Sequence, residues 1–185
     1  MGVISKTENS IIKVIEKVML NKIKTVETLP GSWSVDLLLD LAHKAPAVFV
    51  AYRGGPAEKS NVDAVSDGKF SVYVVTKAGR EGHRRKGSIT AIGAYDILEA
   101  IVPHIHRLAV PDVGTLKFVN VDNLFGDVVQ DLGVTVYAAD FVLPQMVWPF
   151  VDVHTLDDFI TFNADVDQVQ ANGDVDITVR EILPT

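Results

Sequence analysis

Two apolar periods follow one another along this chain, and their order restricts its fold more than any other feature. From about Ser10 to Lys24, Ile11, Ile15, Val18, Met19 and Ile23 recur at helical spacing, with Lys13, Glu16 and Asn21 between them. That pattern predicts an amphipathic helix with one buried stripe. Thr25 to Ser34 contains Pro30-Gly31 and reads as a loop. Ser34 is placed to cap a short second helix with Asp36 in its first turn and Leu37, Leu38 and Leu41 inward; Lys44 suits its end and Pro46 stops it. The apolar run Ala47–Tyr52 predicts a central strand. Lys69 to Thr76, after the turn signal Asp67-Gly68, predicts a second strand antiparallel to it. A long helix is expected from Ser88 to Leu108, with Ile92, Tyr95, Leu98, Val102, Ile105 and Leu108 on one face and a kink at Pro103. Thereafter the period becomes two, over Thr115–Val121 and Gly133–Leu143. Val134, Val136 and Ala138 share one strand face, and Thr135, Tyr137 and Ala139 the other. The resulting order, α-α-β-β-α-β-β, groups strands in adjacent pairs. It favours an α+β fold, helices packed on an antiparallel or mixed sheet, over a doubly wound nucleotide fold.

Beyond Pro144 the character shifts. Met146, Val147, Trp148, Phe150 and Val151 surround Pro149, and Phe159–Phe162 and Val175–Val179 predict two strands flanking Asn172-Gly173. The expected organisation is an α+β domain over 1–145 and a C-terminal hairpin arm over 146–185. The length of 185 residues suits one domain with an appendage, and an apolar share of 48% argues against disorder. Cysteine is absent, which excludes disulfides, thiolate metal sites and Cys nucleophiles. No apolar run approaches the ~18 residues of a membrane span, and the N-terminus lacks a signal-peptide core, so a soluble protein made in a cytoplasm is expected.

The sequence offers little chemistry. It has no phosphate-binding Gly-rich signature and no Gly-x-Ser-x-Gly elbow. His104 and His106, two residues apart, fall on different faces of a helix and cannot share one metal. The acidic stretch Asp165 to Asp176 fails as a calcium loop, because Val169, Gln170 and Asp176 stand where a ligand, a glycine and a glutamate are needed. Neither a catalytic residue nor a cofactor or metal site emerges, and a non-enzymatic protein is expected.

Charge is more informative. Residues 1–110 carry 15 basic and 11 acidic side chains, and residues 111–185 carry 2 and 13. Such segregation argues against a uniform nucleic-acid coat and offers complementary surfaces to neighbouring copies. The basic loop Gly79–Gly87 holds Arg80, His83, Arg84, Arg85 and Lys86. Its functional reading is contact with an acidic surface, DNA phosphates or a neighbouring subunit; its plain reading is a solvated connection. Trp148 and Phe150 either cover the domain's own sheet or anchor in a partner. The candidate contact residues are therefore Arg80, Arg84, Arg85, Lys86, Trp148 and Phe150.

Several segments, read in order, resemble the Mu-like phage and prophage family of tail terminator (tail-completion) proteins. They are Val26-Glu-Thr-Leu-Pro-Gly31, Pro46-Ala-Val-Phe-Val-Ala-Tyr52, Phe70-Ser-Val-Tyr-Val-Val75, Arg84-Arg85, Ile92-Gly-Ala-Tyr-Asp-Ile-Leu98, Val121-Asp-Asn-Leu-Phe125 and Val134-Thr-Val-Tyr137. They span about residues 11–145, and Leu156-Asp-Asp-Phe159 is similar to the family's C-terminal part. The resemblance implies a protein of contractile-tailed phages that caps the head-proximal end of the tail tube as a ring, typically hexameric. It implies as partners other copies of the chain and the tail tube, sheath and neck proteins, with DNA passing through the ring and no membrane. It also implies assembly in the host cytoplasm and a final place in the virion tail. No catalytic residues carry over. A ring needs heterologous contacts, which segregated charge can make complementary, and the arm after Pro144 could add a strand to a sheath or tube subunit. The alternatives are another virion component of tube or neck, and a small-molecule-binding α+β domain with a cleft beside residues 79–87.

Overall fold

Thr7, Ile11, Ile15 and Met19 recur at four-residue steps, and all four are buried along one side of helix α1 (Val3–Met19). The computed structural model describes residues 2–29, 35–60, 63–124 and 132–150, with backbone alone at 35, 36 and 38. Helix α1 begins well before the expected Ser10. Its polar first turns are tolerated because the Thr7 and Ser10 hydroxyls donate to the Val3 and Lys6 carbonyls, both four residues back. It stops at Leu20, whose positive φ of 48° closes the last turn with an N–H bonded to the Glu16 carbonyl.

Strand β1 (Thr25–Thr28) occupies part of the expected loop. Helix α2 (Val35–Lys44) follows, then β2 (Ala47–Tyr52), whose bounds match the sequence expectation. The short β3 (Ala57–Glu58) precedes the long β4 (Ala64–Lys77). Helices α3 (Glu81–Lys86) and α4 (Ala94–Ile105) come next, then a small hairpin of β5 (Ala109–Val110) and β6 (Gly114–Thr115). The edge strand β7 (Lys117–Asn123) and the 15-residue β8 (Val134–Trp148) follow, and a 3-10 turn, Leu20–Lys22, links α1 to β1. The main sheet runs β1-β2-β4-β8-β7, with β3 attached to β4. Among the described strands only β1 and β2 are parallel, so the α+β fold has a mixed sheet.

Helices cover both faces of that sheet. On one, Val48, Val50, Phe70, Val72, Val74, Ala139 and Phe141 meet Ile11 and Ile15 of α1 and Ile97 and Ile101 of α4. On the other, Phe49, Tyr73, Val75, Val136 and Ala138 meet Leu41 of α2. Because β2 is buried on both sides, its sequence is a continuous apolar run rather than an alternation. Residues 136–139 alternate between the two cores as their period predicts.

Three expectations are corrected. Asp67-Gly68 is not a turn ahead of the strand: it lies inside β4, where the register against β8 shifts. The extra residue belongs to β8, around Pro144 and Gln145, so the proline sits at a bulge where its missing N–H costs no ladder bond. Gln145 adopts a positive φ of 52° and donates its N–H to the Asp67 carboxylate. Pro144 therefore does not end the strand; β8 continues to Trp148, which pairs with Ala64. Helix α4 starts at Ala94 rather than Ser88, because Asp96 accepts the Gly93 N–H at 3.0 Å and Ser88 is held in a turn by the Ala91 carbonyl. It ends two residues past Pro103, and its buried line includes Ile97 and Ile101 rather than Tyr95 and Val102. Met1–Pro149 forms one compact unit, and the strands expected at 159–162 and 175–179 lie outside the described residues.

Candidate assembly surfaces

The basic segment 79–87 is not a loop: Glu81–Lys86 forms α3. The helix places its cations differently from one another. Arg84 turns inward and is 7% exposed. Its Nη1 donates to the Ala78 carbonyl at 2.8 Å and its Nε to the Thr135 hydroxyl at 3.3 Å, while its own carbonyl accepts from the Thr76 hydroxyl. It fastens α3 to the ends of β4 and β8, so among the candidate contacts it is the one withdrawn from solvent. The sequence hides this because neighbouring Arg and Lys look alike until a helix assigns them to faces.

Arg85 is half-exposed and pairs with Glu81 one turn earlier at 2.9 Å. That carboxylate strengthens the guanidinium's hold on its proton. Its Nε is buried without a hydrogen-bond partner, in a patch shared with two tyrosines. The Tyr137 hydroxyl donates to that of Tyr95 at 3.3 Å, and the rings meet edge-on at 5.7 Å. Tyr95 is shifted to lower pKa, chiefly by the bond from Tyr137, and Tyr137 to higher pKa, chiefly by burial. Arg80, His83 and Lys86 are exposed.

Trp148 lies at the far end of β8. Fifteen residues at about 3.3 Å each put the two ends roughly 45 Å apart, so the basic helix and the aromatic end cannot form one patch. Trp148 is 40% exposed. Its indole N–H donates to the Ser66 hydroxyl at 2.9 Å and its ring edge meets Tyr52. Tyr52 in turn packs on Phe70, and its N–H donates to the Glu8 carboxylate at 2.9 Å. Partial burial raises the Glu8 pKa, and the bond from Tyr52 opposes that. Phe150 is 96% exposed.

A surface that the sequence did not single out is β7. Phe118, Val119, Val121 and, just beyond, Leu124 are all exposed. The Phe118 ring meets that of Phe141 at a tilt, centroids 5.7 Å apart, and Val119 is the extra residue of a bulge. Among the described residues β7 pairs with β8 alone, on the rim of the sheet. The adjacent apolar pair Phe118-Val119, which breaks strict alternation, was the available signal. The other rim, β1, is short and carries the Lys44–Glu27 ion pair, which blunts it.

An open groove of about 290 Å³ runs between α1 and the β5–β6 turn, lined by Lys6, Asn9, Ser10, Lys13, Val110, Pro111 and Asp112. No residue of 79–87 contributes to it. Among the described residues no three His, Asp or Glu side chains gather as a metal site would require, and no helix is long and apolar enough to cross a membrane. His104 and His106 are engaged separately, with the Ala100 carbonyl and the Phe118 N–H.

The model of the family described as Bacteriophage Mu, Gp37 matches residues 3–146. The Mu-like prophage FluMu protein gp37 of Haemophilus influenzae is 30% identical over 189 aligned residues, covering all of this chain and 93% of that protein. A chain from the virion of a native gene transfer agent particle aligns with 77% of this chain and 94% of its own length, at a TM-score of 0.46 and 8% identity. With all but its first two residues and its last 39 inside the family match, the chain belongs to the bacteriophage Mu Gp37 family.

Proposed function

We infer that this protein is a structural subunit of the phage tail: a terminator whose copies associate flank to flank into a ring, six in number, that caps the head-proximal end of the tube. The ring stops tube polymerisation, docks neck and sheath, and leaves a passage for DNA. It assembles in the host cytoplasm and ends in the virion tail. It works by attachment and carries out no reaction.

The observation that carries this reading is β7. A rim strand with Phe118, Val119, Val121 and Leu124 in water is a surface that soluble monomers usually protect. A neighbouring subunit would cover it. Family membership supports a phage role. The separation of the α3 end, with Arg80, Arg85 and Lys86, from the Trp148 end supplies the unlike flanks that a heterologous ring requires.

Electron microscopy of the purified protein, alone and mixed with tail tubes, tests it. Rings, and rings seated on one tube end, are expected. Incorporation along the tube, or attachment only to neck proteins, would assign it to another virion component. A strict monomer that binds neither tube nor sheath would refute both.

A further inference from the structure

Lysine is unevenly placed on α1. At about 100° per residue, Lys6, Lys13 and Lys17 fall within about 40° of one another, opposite the buried line of Ile11, Ile15 and Met19. Lys13 and Lys17 are exposed, and Lys6 keeps 41% of its side chain in solvent. The stripe opens at its N-terminal end into the 290 Å³ groove against the β5–β6 turn. Lys6 pairs with Asp112 at 4.0 Å, and Asp112 is 87% exposed, too loose a pair to neutralise three ammonium groups; Glu16, three residues from Lys13 on the same helix, is exposed too.

The matching anion is in the same chain. Residues 1–150 hold 16 basic and 16 acidic side chains, so the whole formal charge of -7 belongs to residues 151–185, with eight acidic residues against Arg180. Carboxylates recur there at alternate positions, Asp165 and Asp167, then Asp174 and Asp176, with apolar Val166 and Val175 between them. Thirty-five residues span at most roughly 115 Å, against a radius of gyration of roughly 15 Å for a 150-residue body. The segment is long enough to reach an adjoining subunit.

We propose that the lysine stripe and groove of α1 receive the acidic C-terminal segment, residues 151–185, of a second copy. The contact deepens the assembly reading and rests on it, since it requires copies to associate. It gives the segregated charge a use: a lysine stripe on an otherwise neutral body and a strongly acidic terminus are complementary in sign between copies.

A charge swap in the full chain tests this. K6E/K13E/K17E and D165K/D167K/D174K/D176K are compared with wild type by sedimentation at low and physiological salt, with circular dichroism to check folding. K6Q/K13Q/K17Q serves where the reversal disturbs the fold. Each variant alone should associate about tenfold more weakly or worse, and an equimolar mixture of the two should recover wild-type association. High salt should erase the wild-type advantage. A labelled peptide of residues 151–185 should bind the wild-type chain and not the lysine variant. Unchanged association in both lysine variants, no recovery in the mixture, or a short DNA duplex binding where the peptide does not would each overturn the proposal. Rings that persist in K6E/K13E/K17E would refute this contact and leave the terminator reading intact. Wild-type copies that associate, and respond to the swap, without binding tail tubes would do the reverse.

Discussion

Arg84→Ala should unfasten α3 from the sheet, and its cost follows from the geometry. The guanidinium is 7% exposed and makes two internal bonds, at 2.8 Å to the Ala78 carbonyl and 3.3 Å to the Thr135 hydroxyl. A bond from a charged donor at the shorter distance is worth about 1.5–3 kcal/mol, and the longer one lies beyond the usual range and adds little. Removing the side chain also leaves a space that the helix must close over or water must fill. The expected loss is roughly 2–4 kcal/mol, a fall in Tm of about 5–15 °C for a chain of this size. Urea or thermal unfolding followed by circular dichroism reads it. Arg80→Glu with Lys86→Glu, both exposed, should move Tm by less than about 2 °C and weaken assembly instead. If Arg84→Ala leaves stability within about 0.5 kcal/mol of wild type and abolishes assembly, Arg84 is a partner contact and the internal role is wrong.

Further outcomes concern other parts of the fold. Burial raises the Glu8 pKa above its ordinary 4.5, so the stability it lends is full below that value and is lost as pH rises through the folded pKa. Glu8→Gln keeps an acceptor for the Tyr52 N–H and should flatten that loss, with a gain at neutral pH well under about 1 kcal/mol because the side chain is only partly buried; unfolding curves between pH 4 and 8 check both. Val119→Lys or Val121→Lys should leave Tm nearly unchanged and reduce self-association in light scattering. Gly55→Ala would place a Cβ 1.5 Å from the Asp67 carbonyl oxygen, so a loss of about 3 kcal/mol or more is expected in chemical denaturation.

Much of the central sheet was legible, because apolar period and burial are the same fact seen twice; β1, read as a loop, and the second core were not. Ala47–Tyr52 and the alternation of residues 136–139 needed no tertiary knowledge. What escaped the sequence depends on partners distant in the chain. Asp67-Gly68 looks like a turn until Gln145 arrives across the sheet to use its carboxylate. Pro144 looks like a boundary until a bulge excuses its missing N–H. Thr7 looks too polar to bury until its hydroxyl finds a carbonyl one turn back. The candidate contacts divided for the same reason. Arg80 and Lys86 remained outside, Arg84 went in to meet Thr135, and Trp148 found Ser66 on the paired strand. The exposure of β7 was least legible, since apolar residues on a strand ordinarily announce a core.

The long antiparallel pairing of β4 with β8, unbroken from Lys77 and Val134 to Ala64 and Trp148 except at one bulge, also has a mechanical consequence. A force pulling the two strands past each other along their length loads the ladder in shear, so its bonds must yield together rather than peel one at a time. A force lifting β7 sideways from its single neighbour meets only a zipper. Pairing of this kind resists load along the strand axis better than load at the β7 rim, where one neighbour alone among the described residues holds the strand.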